Sequence, residues 1–591
     1  MIRVSLATLL LIGTCAAIPA HAAPDDTLRL DTLTELTTTP APAPVPVLTG
    51  NARYQAIFQA LDGQRWTDAK AQIATLPESD VLRSYALAEL YLAKNSPRVE
   101  LFELLDLINK ATWLPQADQL SRLAQRRGAQ ILPTLPQVQK LVWLGAAPRR
   151  EYVASVKTDL AAQSLGAKIL PLIKADNPAG AEYEILAVEP TLTPEGRTEW
   201  RQRVAWSYYI ENDDTSARRM AATALGNNVG GDWAVQAHWT IGLASWRQND
   251  CHAAAASFSN VAALAGNMDM RAAGAYWAAR AYMNCGEPAK VAALLKTAAK
   301  AEETFYGMMA RETLGLTSTV PMLAARDPDL PLALKNVPNA QAAMLFVSIG
   351  RDTLADNVLR YQARLGGNAQ YDALLKLAGT LNLPATQLWL AHNGPTGRQP
   401  GTSARFPAPN WKPDGGWRVD PSLVFAHTLQ ESGFRANAVS SAGAHGLMQV
   451  RAGTAGDVAG SAVSITQLHT PSTNMEFGQR YLEQLRDMPA TGGLLPKVMA
   501  AYNAGPTPVE RWNYQVKDGG DPLLFIESLP YYETRAYVNI VMRNYWIYQL
   551  QAKGAADCLT GMAQGLWPRF PSTKGTTLVR VGSGGKIASA Y

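Results

Sequence analysis

Three tryptophans lie in alanine-rich segments that repeat between residues 200 and 300. Trp206, Trp239 and Trp277 are each followed by a short polar turn and then by a second apolar segment. The turns begin about 36 residues apart, a spacing typical of helix–turn–helix repeats. One such pair of helices cannot bury its apolar side alone, so neighbouring pairs stack into a superhelix. The repeat therefore predicts a helical array, with the tryptophans in its core rather than in a ligand site.

Helical periodicity continues on both sides of the repeats. Seven further segments carry apolar residues at helical spacing and end near Gly, Pro or Asn. They are residues 52–61, 66–76, 80–93, 99–109, 340–349, 352–364 and 371–378. No strand is predicted before the Gly- and Pro-rich segment 393–420. The pattern as a whole predicts an all-α protein.

A carboxylate lies at the end of a predicted helix in the C-terminal part. Asp420 is a suitable N-cap, Pro421 suits the first helical position, and Gly433 predicts the end. Glu431 therefore falls in the last turn, where the helix dipole and apolar neighbours both disfavour negative charge. We expect its pKa to rise toward the roughly 6 to 7 that a general acid needs at neutral pH.

Three sequence blocks surround this carboxylate in a fixed order. They are residues 430–449 (QESGFRANAVSSAGAHGLMQ), 500–506 (AAYNAGP) and 527–538 (ESLPYYETRAYV). In order and spacing they resemble the catalytic domain of the soluble lytic transglycosylases of the bacterial periplasm. The resemblance covers residues 402–555 and implies a goose-type lysozyme-like catalytic domain, mainly α. It also implies that the helical repeats before it form an α-superhelix closed into a ring.

The resemblance implies cleavage of the β-1,4 bond between N-acetylmuramic acid and N-acetylglucosamine in peptidoglycan. Most glycosidases use two carboxylates, but the family mechanism uses one. Glu431 protonates the leaving oxygen and then, as a base, takes the proton of the muramoyl C6 hydroxyl, which closes a 1,6-anhydro ring. One residue serves both steps because it alternates between protonation states. No cofactor and no metal is expected.

The same resemblance assigns substrate binding to four more residues. Ser440 and Gln449 match positions that hold sugar and N-acetyl groups, Tyr502 a hydrogen-bonding position in the cleft, and Glu533 a position near the stem peptide. The residues alone leave alternatives open. Tyr502 also fits a core aromatic, and Glu533 also fits a favourable charge in the first turn of a helix. Glu527 is expected to be structural.

Two residues depart from the family pattern. His445 stands where the family commonly has a small polar residue, and Arg451 where it commonly has an apolar one. Both departures bear on substrate preference rather than on the type of reaction.

The N-terminus predicts export. A basic start, an apolar run over residues 6–17 and the sequence Ala20-His21-Ala22 predict a signal peptide over residues 1–22. The formal net charge of +5 is spread without clusters, which argues against a nucleic-acid partner. We expect a soluble periplasmic monomer that binds peptidoglycan glycan strands and associates with the cell wall or outer membrane. Other cell-wall enzymes are candidate partners.

The cysteines favour one disulfide. Cys251 and Cys285 occupy successive repeat turns, and disulfides persist in an oxidising compartment. A bond there would contribute roughly 3 to 4 kcal/mol, and two buried free thiols are the alternative. Cys558 has no evident partner. No spacing of cysteine and histidine predicts a metal site.

Composition shifts and motifs predict seven segments. They are the signal peptide 1–22, a Thr- and Pro-rich linker 23–50, a helical-repeat superhelix 51–315, a helical linker domain 316–392, a Gly/Pro linker 393–401, the catalytic domain 402–558 and a C-terminal tail 559–591. The chain is rich in Gly and Ser after residue 556, so a loosely ordered tail is expected there.

Two other functions remain open at this point. A lysozyme-type hydrolase would use water as the acceptor and needs a second acid close to Glu431, which spacing does not exclude. A non-catalytic scaffold would only hold glycan and recruit other cell-wall proteins. The complete motif around Glu431 argues against the scaffold.

Overall fold

The computed structural model describes residues 50–226, 230–323, 329–582 and 587–588. The predicted signal peptide 1–22 and residues 23–49 of the predicted linker lie outside the described residues. The described chain is mainly helical with a few short strands, which confirms the all-α fold class. None of the described helices is both long enough and apolar enough to cross a membrane.

Five helices open the described chain, and a two-residue strand follows them. They are α1 (Gly50–Asp62), α2 (Trp66–Ala74), α3 (Val81–Leu92), α4 (Leu101–Lys110), α5 (Ala117–Arg126) and β1 (Val142–Trp143). The four helices predicted between residues 52 and 109 are confirmed within a few residues at each end. Local caps set some of these ends: the Asp80 carboxylate accepts from the Leu82 amide at 3.0 Å at the start of α3.

Nine helices form the next part of the chain, together with two short 3-10 helices, Glu189–Thr191 and Pro288–Lys290. The nine are α6 (Leu160–Lys174), α7 (Pro178–Val188), α8 (Pro194–Ile210), α9 (Asp214–Leu225), α10 (Asp232–Arg247), α11 (Cys251–Leu264), α12 (Met268–Asn284), α13 (Val291–Ala299) and α14 (Phe305–Thr313).

The polar turns of the repeat work as helix junctions. In two of them an asparagine adopts a positive φ and the next residue caps the following helix. Asp213 caps α9 and Asp250 caps α11, each by accepting a backbone amide hydrogen bond. Trp239 and Trp277 are buried with ring centroids 6.3 Å apart. The predicted core role of the tryptophans is confirmed for these two, while Trp206 is only half-buried.

The repeat turns also bring two cysteines together. Cys251 and Cys285 form a disulfide between the start of α11 and the end of α12. Cys558 is a buried free thiol, and burial raises its pKa to about 12. A thiol in that environment is protonated and unreactive at neutral pH.

The following helices return to the beginning of the array. They are the 3-10 helix Leu332–Leu334, α15 (Pro338–Ser348), α16 (Asp352–Thr380), α17 (Pro384–His392), β2 (Asn393–Gly394) and α18 (Thr402–Arg405). Phe346 of α15 contacts Phe58 and Tyr85 at centroid distances of 5.4 and 5.1 Å. Helices α1–α5 therefore share one hydrophobic core with α15–α17. The predicted domain boundaries stay predictions.

The two helices predicted over residues 352–364 and 371–378 are confirmed, because Gly367, with φ 54°, interrupts α16 with a non-helical backbone between them. One sequence prediction in this region needs correction. No strand was expected before residue 393, yet β1 pairs antiparallel with β2. A two-residue strand has too short a pattern to be predicted from periodicity.

The C-terminal part contains nine helices and five short strands among the described residues. The helices are α19 (Pro421–Ser432), α20 (Ala452–Ala459), α21 (Ile465–Leu468), α22 (Pro471–Asp487), α23 (Leu495–Ala504), α24 (Pro506–Gln515), α25 (Pro522–Glu527), α26 (Tyr532–Lys553) and α27 (Asp557–Ala563). The strands are β3 (Ala444–His445), β4 (Val450–Arg451), β5 (Trp567–Pro568), β6 (Leu578–Val581) and β7 (Ile587–Ala588).

The expectation of a loosely ordered tail after residue 556 is wrong for the described residues. Helix α27 is followed by a three-stranded antiparallel sheet in the order β5-β6-β7. Trp567 is fully buried and its indole N–H donates to the Gly520 carbonyl at 2.7 Å. The apolar residues of β5 and β6 pack this segment into the core. The Gly- and Ser-rich composition of the whole segment does not indicate these short strands.

A buried carboxylate joins the repeats to the C-terminal part. Glu527 in α25 is fully buried and accepts from Arg150 at 2.7 and 3.2 Å and from the Tyr306 hydroxyl at 2.7 Å. Arg150 follows β1 in the chain, and Tyr306 belongs to α14. Buried charges are retained when they are paired and hydrogen-bonded. These contacts support the structural role expected for Glu527.

Candidate active site

Helix α19 places Glu431 as the sequence predicts. The Asp420 carboxylate accepts from the Ser422 amide at 2.9 Å at the N-terminus, and Gly433 ends the helix with φ 58°. Seven of its first eight residues are buried, so the helix is fixed in the core. Glu431, in the last turn of the helix, is only half-buried, so its carboxyl is accessible to a ligand.

The environment of Glu431 favours its protonated form. Burial raises the pKa of the carboxyl to about 7, and the nearby negative charge of Glu533 acts in the same direction. A hydrogen bond from Tyr537 opposes them and lowers the pKa. The direction of the shift expected from the sequence is therefore confirmed. At neutral pH such a group can both donate and accept a proton.

Two residues without a predicted role lie next to this carboxyl. The Tyr537 hydroxyl donates to Glu431 Oε1 at 2.6 Å. His427 Nδ1 lies 2.8 Å from the same hydroxyl oxygen. While Glu431 is ionised, the tyrosine proton points to the carboxylate, so Nδ1 carries the imidazole proton and donates to the tyrosine. The three side chains form a hydrogen-bonded chain that ends at the carboxyl.

His427 is a neutral member of this chain. It is fully buried one turn before Glu431 in α19. Burial lowers its pKa to about 3, and its Nε2 has no hydrogen-bond partner among the described residues. The i, i+4 spacing on one helix was a signal that could have linked His427 with Glu431.

Residues 446–449 (GLMQ) connect the two strands of a tight hairpin, and the side chain of a residue in α22 holds this hairpin in place. The buried Asn474 side chain accepts from the Met448 amide at 2.8 Å and donates to the His445 carbonyl at 2.9 Å. Gly446 has φ 76°, and a Cβ at that position would lie 2.2 Å from both the Asn474 amide nitrogen and the Leu468 carbonyl oxygen. Only glycine fits there. The hairpin strands β3 and β4 pair antiparallel.

The predicted binding residues Ser440 and Gln449 belong to this hairpin. The Ser440 hydroxyl accepts from the Ala444 amide at 3.0 Å. The Gln449 amide donates to the carbonyls of Ala438 and Gly446 at 3.2 and 2.8 Å. Neither side chain hydrogen-bonds to Glu431, so the structure gives both of them a role in holding the hairpin. Their sugar-binding role stays a prediction.

Tyr502 and Glu533 lie closer to the carboxyl. Tyr502 is half-buried and packs against His427, with ring centroids 4.6 Å apart, and its hydroxyl donates to the Met448 carbonyl at 2.8 Å. This hydrogen bond therefore holds the hairpin against α23, the helix that contains Tyr502. Glu533 is exposed in the first turn of α26 and interacts with Glu431 through charge alone. Their predicted roles are not tested by these contacts.

The two departures from the family pattern lie on the same hairpin. His445 Nδ1 is 3.3 Å from His469 Nε2, so the imidazole faces a second histidine. Arg451 is exposed at the end of β4. Both positions are accessible for contacts with a ligand that extends along the hairpin.

A cavity of about 440 Å³ opens beside Glu431. It lies between α17, α19, α26 and the segment that follows β1. This size is sufficient for part of an oligosaccharide or a peptide. The wall contains aromatic rings (Trp143 and Trp389) as well as charged side chains.

Glu431 has few acidic neighbours. Among the described residues, Glu533 is the carboxylate whose charge raises the pKa of Glu431. The buried Glu476 accepts from Gln479 at 2.7 Å and pairs with Arg480 at 2.6 Å. The site thus presents one carboxyl with a raised pKa.

The described residues contain one group of three potential metal ligands. It consists of Cys251, His252 and Cys285. Both sulfur atoms are joined in the disulfide, so they are unavailable as thiolate ligands. This group lies in the repeat turns and has no connection with Glu431.

Comparison with known proteins places this site in a family. Residues 411–525, which include Glu431, match the family model described as "Transglycosylase SLT domain". These residues form a domain of the transglycosylase SLT family. The blocks around Glu431 and residues 500–506 lie inside the SLT domain, and Tyr537 lies just beyond its matched end.

The chain aligns with its curated relatives over only part of its length. It is 33% identical over 157 residues to the soluble lytic murein transglycosylase of Salmonella typhimurium, and 35% identical over 133 residues to that of Escherichia coli strain K12. The alignments cover 26% and 22% of this chain. They span only 23% and 20% of the relatives' own length.

Solved structures share the fold over most of the chain. The 70 kDa soluble lytic transglycosylase of Escherichia coli matches with a TM-score of 0.51 and 17% identity, over 84% of this chain and 96% of that chain. A 70 kDa soluble lytic transglycosylase in complex with bulgecin A matches with a TM-score of 0.50 and 16% identity, over the same shares of the two chains. At such identities the likeness shows the fold alone.

Proposed function

We propose that this SLT protein is a periplasmic lytic transglycosylase. It cleaves the β-1,4 bond between N-acetylmuramic acid and N-acetylglucosamine of peptidoglycan and leaves 1,6-anhydro-N-acetylmuramic acid ends. The observation that carries this proposal is Glu431, whose pKa is raised to about 7 beside an open cavity within the SLT domain. The names of the curated relatives point to the same activity.

In the first step, Glu431 acts as a general acid. Its protonated carboxyl donates to the oxygen that leaves the muramoyl C1 atom. The N-acetyl group of the substrate stabilises the positive charge that develops at C1. A pKa near 7 keeps a large fraction of the carboxyl protonated at neutral pH, while the proton is still weakly enough held to be transferred.

In the second step, the same group acts as a base. The Glu431 carboxylate accepts the proton of the muramoyl C6 hydroxyl, and the C6 oxygen bonds to C1 to close the anhydro ring. An attacking group on the same sugar has a high effective concentration compared with water. Tyr537 donates to the carboxylate at 2.6 Å, so it stabilises the ionised form that this step requires.

The remaining site residues position the substrate around this carboxyl. Tyr502 fixes the hairpin by its bond to the Met448 carbonyl. The hairpin then presents Ser440 and Gln449 to the sugar and N-acetyl groups. Glu533 lies in the first turn of α26, near the stem peptide, and its charge keeps the pKa of Glu431 high. Glycan strands are the partner, and the protein works as a monomer.

One observation favours a hydrolase as the second candidate. Glu533 is an exposed carboxylate whose charge is felt at Glu431, and a second acid near the first is what water activation needs. In that mechanism Glu533 would activate water, and the product would carry a reducing end without an anhydro ring.

Product analysis separates the two reactions. The purified full-length protein is incubated with cell wall in ¹⁸O-labelled water, and the released muropeptides are identified by mass spectrometry. A transglycosylase gives 1,6-anhydromuramoyl ends without ¹⁸O. Reducing muramoyl ends that carry ¹⁸O would show hydrolysis instead. Glu431→Gln is the matched control and should release neither product.

Export is tested separately. The proposed signal peptide covers residues 1–22, so the mature chain should begin near Ala23. N-terminal sequencing of the protein recovered from a periplasmic extract checks this point. A mature chain that still begins at Met1 would contradict it.

A further inference from the structure

Two histidines face each other beside the β3–β4 hairpin. His445 Nδ1 lies 3.3 Å from His469 Nε2. The ring centroids are 5.4 Å apart and the ring planes are tilted by 49°, so the two nitrogens make the contact rather than stacked ring faces. His445 is one of the two departures from the family pattern. The pair is therefore a feature of this chain that the family resemblance does not explain.

The distance between the two nitrogens suits a shared metal ion. Zn–N bonds of about 2.0 to 2.1 Å at a tetrahedral angle of about 109° place two ligand nitrogens about 3.3 to 3.4 Å apart. Hydrogen bonds from an N–H donor are mostly about 2.9 to 3.0 Å long, so a direct bond between the two rings at 3.3 Å is weak. Imidazole nitrogen is a preferred ligand of zinc, copper and nickel ions.

One buried side chain fixes the two histidines relative to each other. Asn474 in α22 is fully buried. Its amide group donates to the His445 carbonyl at 2.9 Å and to the carbonyl of Leu468, the residue before His469, at 2.7 Å. The same group therefore holds the backbone at both histidines. A pair of ligands that is held in place in advance loses little conformational entropy when it binds an ion.

The surroundings of the pair are compatible with a cation. Both side chains are half-buried, so water can reach them. Val450 lies opposite His445 in the hairpin and Arg451 is the next residue. Successive residues of a strand point to opposite faces, so the Arg451 charge is directed away from the pair. Among the described residues, no carboxylate, thiol or third imidazole completes a group of three ligands with the pair, so water would fill the remaining positions of the ion.

We propose that His445 and His469 bind one divalent transition-metal ion, such as Zn²⁺, which cross-links the β3–β4 hairpin to the turn between α21 and α22. The inference is independent of the proposed reaction, because neither histidine takes part in it. The pair supplies two of the four protein ligands of a structural zinc site, which predicts a Kd of roughly 1 to 100 µM. The bound ion would stiffen the hairpin that contains Ser440 and Gln449.

Calorimetric titration with Zn²⁺ tests the site in the full-length protein, purified without a histidine tag. We expect His445→Ser and His469→Ser each to weaken binding at least about tenfold, since either change leaves a single imidazole. The double variant should bind no more weakly than the single variants, because the two residues act as one chelating unit. His445→Ser introduces the small polar residue that the family commonly has there, so this variant is expected to fold.

His252→Ser is the matched control. His252 is an exposed histidine in the repeat turn that also contains Cys251 and Cys285, and this variant should bind Zn²⁺ as the wild type does. Binding that is lost in the control and kept in His445→Ser would place the ion in the repeat turn and overturn the proposal. A wild type that binds no Zn²⁺ at about 1 mM would overturn it as well.

Hydrogen exchange followed by mass spectrometry tests the cross-link. Zn²⁺ should slow the exchange of backbone amides in residues 438–451 and 465–470 of the wild type, because the ion joins the two segments and opposes their local opening. His445→Ser should show no such protection. Mg²⁺ should not protect the wild type either, because it prefers oxygen ligands. Zn²⁺ binding that leaves exchange in both segments unchanged would refute the cross-link.

Discussion

Replacing Glu431 with Gln should give a protein that is inactive yet more stable than the wild type at alkaline pH. Burial raises the pKa of this carboxyl from 4.5 to about 7. That difference corresponds to roughly 3 kcal/mol of unfavourable free energy for the ionised form in the folded chain. Glutamine has nearly the same shape, can accept the Tyr537 hydrogen bond and carries no charge, so it does not incur this cost.

The pH dependence follows from proton linkage. Between pH 4.5 and 7 the folded wild type keeps a proton on Glu431 that the unfolded chain has released. The free energy of unfolding of the wild type therefore decreases as pH rises through this window. Glu431→Gln lacks this decrease. Its advantage should be near zero at pH 4, grow through the window, and reach at most roughly 3 kcal/mol above pH 7.

Denaturant unfolding at pH 4.5 and pH 8 measures this difference, and Glu510→Gln serves as the control because Glu510 is exposed on α24. Activity on cell wall is measured in parallel and should fall by at least about 10² to 10⁴. A variant that gains the same stability at both pH values would refute the raised pKa. One that retains more than about a tenth of the activity would refute the acid–base role.

Three further changes test other parts of the structure. Tyr537→Phe removes the hydrogen bond that lowers the pKa of Glu431, so the alkaline limit of the pH–rate profile should move above its wild-type position near pH 7; an unchanged profile would contradict this. Gly446→Ala forces a Cβ into backbone and a buried amide, and the free energy of unfolding measured with denaturant should fall by at least about 1 kcal/mol. Cys251→Ser with Cys285→Ser removes the disulfide and should cost roughly 3 kcal/mol of stability while glycan cleavage is retained; denaturant unfolding with and without reductant checks this.

Local signals predicted the fold around the carboxyl well. Asp420, Pro421 and Gly433 set the ends of α19 through contacts with their own neighbours in sequence, so their effect is visible in the sequence. The Asn-Asp turns of the repeat are local in the same way. Helix caps and turns of this kind depend on a few adjacent residues, so they can be predicted from a single sequence.

The features missed by the sequence analysis depend on distant residues. Tyr537 reaches Glu431 across 106 positions, and nothing in the spacing of the two blocks fixes which side chain of α26 makes the contact. The wall of the cavity beside Glu431 combines segments that are far apart in the sequence, from Trp143 to Asn544. In the C-terminal segment, the Gly- and Ser-rich composition indicates a loose tail, although a few apolar residues form β5 and β6.

The contacts of Glu527 explain why the catalytic part depends on the rest of the chain. A fragment that begins at residue 402 would keep Glu527 but lose Arg150 and Tyr306, which supply its strongest hydrogen bonds. A buried carboxylate without its partner costs several kcal/mol. The same fragment would lose Arg149 and Arg360, which line the cavity beside Glu431. Because the helical array neutralises a charge inside the catalytic part and supplies part of the cavity wall beside Glu431, it is a component of the site as well as a support for it.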